Sequence, residues 1–310
     1  MSTQARVAVR FPSGATWCAA WHYPSRSGGC VVMAGGLAVT KEPGTDAFAV
    51  QFSEAGLGVL AFDHRHLGAS GGAPRQITPV RSQLEDWRAA LAFAATLPGV
   101  DPRRLAAWGF SVSGGHVLKI AAEHPALAAV VAQTPNVDGL AAARNAARHT
   151  TRSALLRLTV RGLVDTVAGR LGAEPALVPL VGPPGSVALL STPDALAGSE
   201  QALPAERYPD WTQAVAARSV LPLAAYRPGR LAAKVRCPLL VVVADDDRSA
   251  PPGPAVRAAA AAPRGEVLHV EGGHYAPFLA AHEQVVQAEV AFLRRHLEAP
   301  LPGSRPTEGA

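Results

Sequence analysis

Cysteine is scarce in this 310-residue chain: Cys18, Cys30 and Cys237, an odd number at scattered spacings. A disulfide framework needs an even, clustered set and a structural zinc site needs closely spaced pairs, so neither is expected. Lysine is equally rare, with only Lys41, Lys119 and Lys234 among 29 basic residues, so the net charge of +5 is carried by arginine. Aromatics make up 5% and are not interleaved with the basic residues, which leaves no stacking platform of the kind single-strand binders use. No nucleic-acid partner is expected. No apolar run approaches the roughly 18 residues of a membrane span, and Met1-Ser2-Thr3-Gln4 lacks the charged-then-apolar character of a secretory leader. A cytoplasmic protein with no membrane partner is the resulting expectation.

With 48% hydrophobic and 17% charged residues, the chain has enough apolar surface for one large α/β domain with an insertion. Alternation at Val7, Val9 and Phe11, then at Trp17, Ala19 and Trp21, predicts an entry hairpin of half-buried strands. Short apolar runs at 30–34, 57–62, 104–108 and 128–132 predict buried strands, with helices at 46–55 and 79–97 between them. Strands alternating with helices imply a mainly parallel sheet covered on both faces. The rhythm breaks from about Asn136 to Arg230, where helical segments and Pro-rich loops replace it, a stretch too long for a plain connection. The expected organisation is a core of 1–135 and 231–298, a cap of 136–230 and a flexible tail of 299–310.

The most informative stretch is Trp108-Gly109-Phe110-Ser111-Val112-Ser113-Gly114-Gly115, between an apolar run and a helix-like run. A serine at a sharp strand-to-helix turn exposes its Oγ and tolerates only small residues two places to either side, as Gly109 and Ser113 are around Ser111. The helix that follows aims free N–H groups and its positive end at the same point, where an oxyanion could be held. A second frame makes Ser113 the nucleophile, flanked by Ser111 and Gly115, but the strand ends at Trp108 and Ser113 would already lie in the first helical turn. A nucleophilic serine needs a base, and the base an orienting acid. Cys237 to Ala244 reads as a buried strand with Asp245-Asp246-Asp247 at its carboxyl end, and Gly272-Gly273-His274 follows another strand at 266–270. Asp247 is the expected acid because Pro251, at the start of the next helix, stands four residues on. Asp245 and Asp246 read as turn or capping groups, and Arg248 or a hydrogen-bonding backbone would hold the acid ionised.

On these residues the chain resembles the α/β-hydrolases, from about residue 5 to residue 298. The elbow, Asp247, Gly273-His274, the loop Met33-Ala34-Gly35-Gly36-Leu37 and the loop from Phe62 to Gly72 carry the resemblance. More narrowly it is similar to the bacterial dienelactone-hydrolase-like and acyl-ester hydrolases whose elbow continues Ser-Gly-Gly-His, although Gly35 stands where that family usually has the histidine of a His-Gly pair. The resemblance implies an oxyanion hole from the N–H groups of Leu37 and Val112, and a mainly helical cap inserted between strands 6 and 7.

Within the cap, Arg144, Arg148 and Arg152 recur at every fourth place, followed by Arg157, Arg161 and Arg170, with Asp165 the only acid between Gly139 and Ala173. Such spacing sets arginines on one helix face, where they would either dock an anionic substrate or form a solvated face in an arginine-rich composition. His64-Arg65-His66 lacks metal-ligand company, His116 reads as structural, and Asp63 and Arg65 are expected to brace their loop by pairing or hydrogen bonding. No cofactor or metal is expected. The functional expectation is ester or thioester hydrolysis by Ser111, His274 and Asp247 through an acyl-enzyme; the alternatives are carbon–carbon bond hydrolysis or lyase or cyclase chemistry on the same fold, and a non-enzymatic binding module. Expected partners are a small-molecule or carrier-bound acyl substrate, including a coenzyme A thioester or an acyl carrier protein, and a second copy of the chain in a homodimer.

Overall fold

The computed structural model describes residues 6–25 and 27–298; the tail expected at 299–310 lies outside them. The first two strands, β1 (Val7–Ser13) and β2 (Thr16–Tyr23), form an antiparallel hairpin closed through Gly14 at a φ of 55°. Then β3 (Cys30–Ala34), α1 (Thr45–Glu54), β4 (Gly58–Phe62), α2 (Val80–Ala94), β5 (Leu105–Phe110), α3 (Val112–Glu123) and β6 (Ala129–Gln133) alternate. After a long excursion the sheet resumes with β9 (Leu239–Ala244), α8 (Pro252–Ala261), β10 (Gly265–Val270) and α9 (His282–Leu297). The eight strands run in the order β1-β2-β4-β3-β5-β6-β9-β10, and every pairing from β4 to β10 is parallel. This is an α/β-hydrolase fold with helices on both faces of a mainly parallel sheet.

The period of two along each strand divides the core. Val31, Met33, Val59, Ala61, Ala106 and Trp108 face one layer with Phe48, Phe52 and Phe292 from α1 and α9. Cys30, Val32, Leu60, Ala107 and Val130 face the other with Trp87, Val117 and Leu118 from α2 and α3. Strands β3, β4, β5, β6 and β9 are buried at every position, as interior strands of a doubly covered sheet must be, whereas β10 is an edge strand with mostly exposed residues.

Between β6 and β9 the chain leaves the sheet. It forms α4 (Gly139–His149), α5 (Arg152–Arg170), a two-stranded ribbon of β7 (Leu177–Pro179) and β8 (Ala214–Ala216), α6 (Ala195–Ala202) and α7 (Val220–Ala225). A 3-10 segment, Pro228–Lys234, returns it, and Val137, Ala232 and Val235 pack into the sheet core. The four-residue arginine spacing does not run along one helix. It crosses a break: α4 ends at His149, and Thr151 caps α5 by accepting the Ala154 N–H at 3.1 Å. Arg144 and Arg148 therefore ride on α4 while Arg152 opens α5.

Candidate active site

The turn after β5 is built by sterics. A Cβ at Gly109 would stand 2.4 Å from the Ser113 carbonyl oxygen, so the chain can bend there only without a side chain. Ser111 takes a φ of 56° and a ψ of −114°, a conformation non-glycine residues avoid, and is held in it by its N–H donating to the Gln133 carbonyl while its own carbonyl accepts from Gly115 and Asn136. Its hydroxyl faces the mouth of the sheet. Ser113, by contrast, is buried within the first turn of α3.

The last two sheet strands bring the other groups. His274 follows β10 and Asp247 follows β9, at the carboxyl ends of adjacent parallel strands. His274 Nε2 stands 3.0 Å from Ser111 Oγ, and His274 Nδ1 stands 2.7 Å from Asp247 Oδ2. The other carboxylate oxygen, Oδ1, accepts the backbone N–H groups of Ser249 at 2.8 Å and Ala250 at 2.7 Å. The backbone, not Arg248, is what solvates this acid. Burial pushes the Asp247 carboxyl above its ordinary range, with the His274 ring and the Ala250 amide opposing the shift. Burial alone would lower the His274 pKa, but the Asp247 charge and hydrogen bond, helped by Asp194, raise it. Asp245 is taken up elsewhere, 2.7 Å from His269 Nδ1 at the surface.

Asp194, in the loop before α6, was not legible as a site residue. Its Oδ2 accepts the N–H of His274 at 3.3 Å and of Arg248 at 3.1 Å, so one carboxylate from the excursion ties together the two loops that carry His274 and Asp247. A Cβ at Gly273 would stand 2.9 Å from the Asp194 Cβ, which explains the glycine before His274. Nothing local announces this contact; the sequence offers only an aspartate before a short helix, the pattern of a cap it does not form.

Gly36 and Leu37 lie on the opposite side of Ser111. A Cβ at Gly36 would approach the Ser111 Cβ to 3.3 Å, and Leu37 and Val112 pack against each other beside the serine. Above them opens a pocket lined by apolar side chains, among them Val39, Phe110, Leu158, Leu180, Leu190 and Trp211. Its polar contributors besides Ser111 and His274 are neutral, including Asn136, Thr192, Gln213 and Tyr275, and no lysine, arginine or carboxylate lines it. Arg144, Arg148 and Arg152 are outside the pocket, although Ala142, Ala143 and Ala146 of α4 form part of its wall.

Asp63 and Arg65 brace the loop after β4, each with its own partners. Asp63 pairs with Lys41 at 2.8 Å, and Arg65 with Asp86 of α2, which also takes Ser13 Oγ and His64 Nδ1. His116 is buried between Tyr226 Oη at 2.9 Å and Gln83 Oε1 at 3.1 Å, and burial holds its pKa well below the ordinary value. Among the described residues no group of three His, Cys, Asp or Glu is gathered as a metal site, and no helix is long and apolar enough to cross a membrane.

The model of the alpha/beta hydrolase family matches residues 32–288. The chain belongs to the α/β-hydrolase family. It is 39% identical over 297 residues to the quorum-quenching protein AidA of Acinetobacter baumannii, an alignment covering 94% of this chain and 95% of that protein. It is 30% identical over 155 residues to thiohydrolase aneE of Aspergillus aculeatus, covering 50% of this chain and 48% of the relative. The crystal structure of the α/β hydrolase GrgF from Penicillium sp. sh18 superposes with a TM-score of 0.78 at 22% identity, over 95% of this chain and 100% of that one, a likeness of fold.

Proposed function

We propose that this α/β hydrolase cleaves an ester or thioester whose acyl part is neutral and apolar, through a covalent acyl-enzyme on Ser111. The observation that carries the reading is the hydrogen-bonded series Ser111 Oγ, His274 Nε2, His274 Nδ1, Asp247 Oδ2 at the foot of an apolar pocket. In the first half-reaction Ser111 Oγ attacks the carbonyl carbon while its proton passes to His274 Nε2. Asp247 keeps the Nδ1–H oriented and stabilises the imidazolium that forms. The oxygen of the tetrahedral intermediate is received by the Leu37 and Val112 N–H groups, the latter at the positive end of α3. Collapse expels the alcohol or thiol with the proton from His274. Water, deprotonated by the same ring, then releases the acid and regenerates the serine.

The family match and the relative named as a thiohydrolase support hydrolysis. A neutral pocket suits the acyl portion, while Arg144 and Arg148, exposed on the helix whose alanines line it, suit an anionic carrier or a coenzyme A leaving group outside it. The test pairs a fluorophosphonate with a panel of p-nitrophenyl esters and acyl-coenzyme A thioesters of increasing chain length. Labelling with turnover of either class supports the proposal. Labelling without turnover assigns the same residues to carbon–carbon hydrolysis or lyase or cyclase chemistry, and no labelling of Ser111 leaves a binding module.

A further inference from the structure

The turn that carries Asp247 is held by two different parts of the chain. Its first half belongs to the sheet: the N–H groups of Asp245 and Asp246 donate to the carbonyls of Val270 and Gly272, both at 3.0 Å. Its second half belongs to the excursion. The Asp194 carboxylate accepts the Arg248 N–H at 3.1 Å, Thr192 Oγ1 pairs with Ser249 Oγ at 2.9 Å, and Asn145 Nδ2 of α4 donates to the Arg248 carbonyl at 2.6 Å. Outside the turn itself, every hydrogen bond of Arg248 and Ser249 among the described residues goes to the excursion.

The Asn145 contact reaches Asp247 through a single rigid unit. The Arg248 carbonyl and the Ser249 N–H are the two ends of one planar trans peptide, so they point in opposite directions and turn together. At one end stands the Asn145 amide. At the other, 2.8 Å away, stands Asp247 Oδ1. Fixing the carbonyl fixes the N–H, the N–H fixes Oδ1, and the flat carboxylate then aims Oδ2 at His274 Nδ1, 2.7 Å off. Hydrogen bonds linked in such a series also polarise one another. We propose that Asn145 is a positioning residue for the orienting acid Asp247, acting through the 248–249 peptide, with Thr192 steadying the same peptide from the Ser249 side chain. This rests on the reading of Ser111, His274 and Asp247 as nucleophile, base and acid.

The helix that does this also walls the substrate pocket. Ala142, Ala143 and Ala146 line it, while Asn145 stands outside the lining and reaches the acid turn instead. The seating of α4 is therefore a condition for an aligned acid as well as for an enclosed pocket, and the excursion is part of the frame that makes His274 a base.

The test is Asn145→Ala in the full chain. Alanine is the better helix former, so α4 persists, and a pure effect on the pocket wall would show in KM. With p-nitrophenyl butyrate, kcat should fall about tenfold, short of the roughly 10²-fold that an ångström of misplacement costs, while KM stays unchanged. Asp247 raises the His274 pKa by its charge and hydrogen bond. A loosened acid should therefore shift the acid limb to lower pH, both for kcat/KM and for the rate at which a fluorophosphonate labels Ser111. Thr192→Val should act in the same direction, and Thr192→Ser, which keeps the hydroxyl, should behave as wild type. The proposal is overturned by an Asn145→Ala protein with wild-type turnover and labelling, by a slower one with an unmoved acid limb, or by a change confined to KM. Where the wild type is labelled but does not turn over the ester, the labelling profile alone decides. A wild-type protein whose Ser111 takes no label defeats the reading of the serine itself, and this proposal with it.

Discussion

Replacing Asp247 by Asn tests the site at the point where its geometry is most constrained. The two N–H groups of Ser249 and Ala250, at 2.8 and 2.7 Å, both aim at Oδ1 and dictate where the asparagine oxygen must lie. The amide NH2 then occupies the Oδ2 place, 2.7 Å from His274 Nδ1. A donor there forces Nδ1 to accept and moves the ring proton to Nε2, where it points at Ser111 Oγ and the ring can no longer act as base. Recovering the working tautomer means turning the amide over and leaving two buried backbone donors unpaired, about 1–3 kcal/mol each. Combined, this is a loss of roughly 10²–10⁴ in kcat. The assay is pre-steady-state acylation by a p-nitrophenyl ester alongside the rate of fluorophosphonate labelling, both of which should fall together while the fold, followed by circular dichroism, persists. Asp247→Asn within tenfold of wild type, with Asp245→Asn crippled instead, would refute the reasoning.

Ser111→Ala should abolish both turnover and labelling, whereas Ser113→Ala should keep most labelling, because Ser113 is buried in α3; the reverse outcome would move the elbow two residues on. For Asp194→Asn the readout is the pH profile of kcat/KM: Asp194 raises the His274 pKa, so removing its charge should shift the acid limb to lower pH, and a fall in rate with an unmoved limb counts against a positioning role. Glu289 is fully buried with one oxygen on Trp108 Nε1 at 2.9 Å, and burial raises its carboxyl well above the ordinary range. Its cost is absent below the unfolded carboxyl's pKa of about 4.3 and grows above it by about 1.4 kcal/mol per unit of raised pKa; Glu289→Gln should therefore stabilise the protein at pH 7 and not at pH 4 in denaturant titrations. Reversing Arg144 and Arg148 to Glu should raise KM for acyl-coenzyme A at low salt and leave neutral esters unaffected; equal effects on both would remove the carrier-docking reading.

What the sequence determined by itself is local. Apolar runs of five or six residues bounded by turns must become buried strands, and Gly109 permits the bend that presents Ser111. The order of a serine, an acid after a late strand and a histidine after the last strand follows chain position, which a parallel sheet converts directly into spatial position. The break between α4 and α5 was also written locally, in the capping Thr151, but the arginine spacing across it masked that signal. Tertiary structure alone decided which partners meet across long stretches of chain. Asp63 takes Lys41, Arg65 takes Asp86, and Asp194 reaches His274 from 80 residues away, because the seating of the excursion on the sheet sums many weak contacts that no short motif records. The exposure of Leu156, Val160, Leu163, Val164 and Val167 on α5 was decided in the same way, by the packing of Asp165 and Gly162 inward.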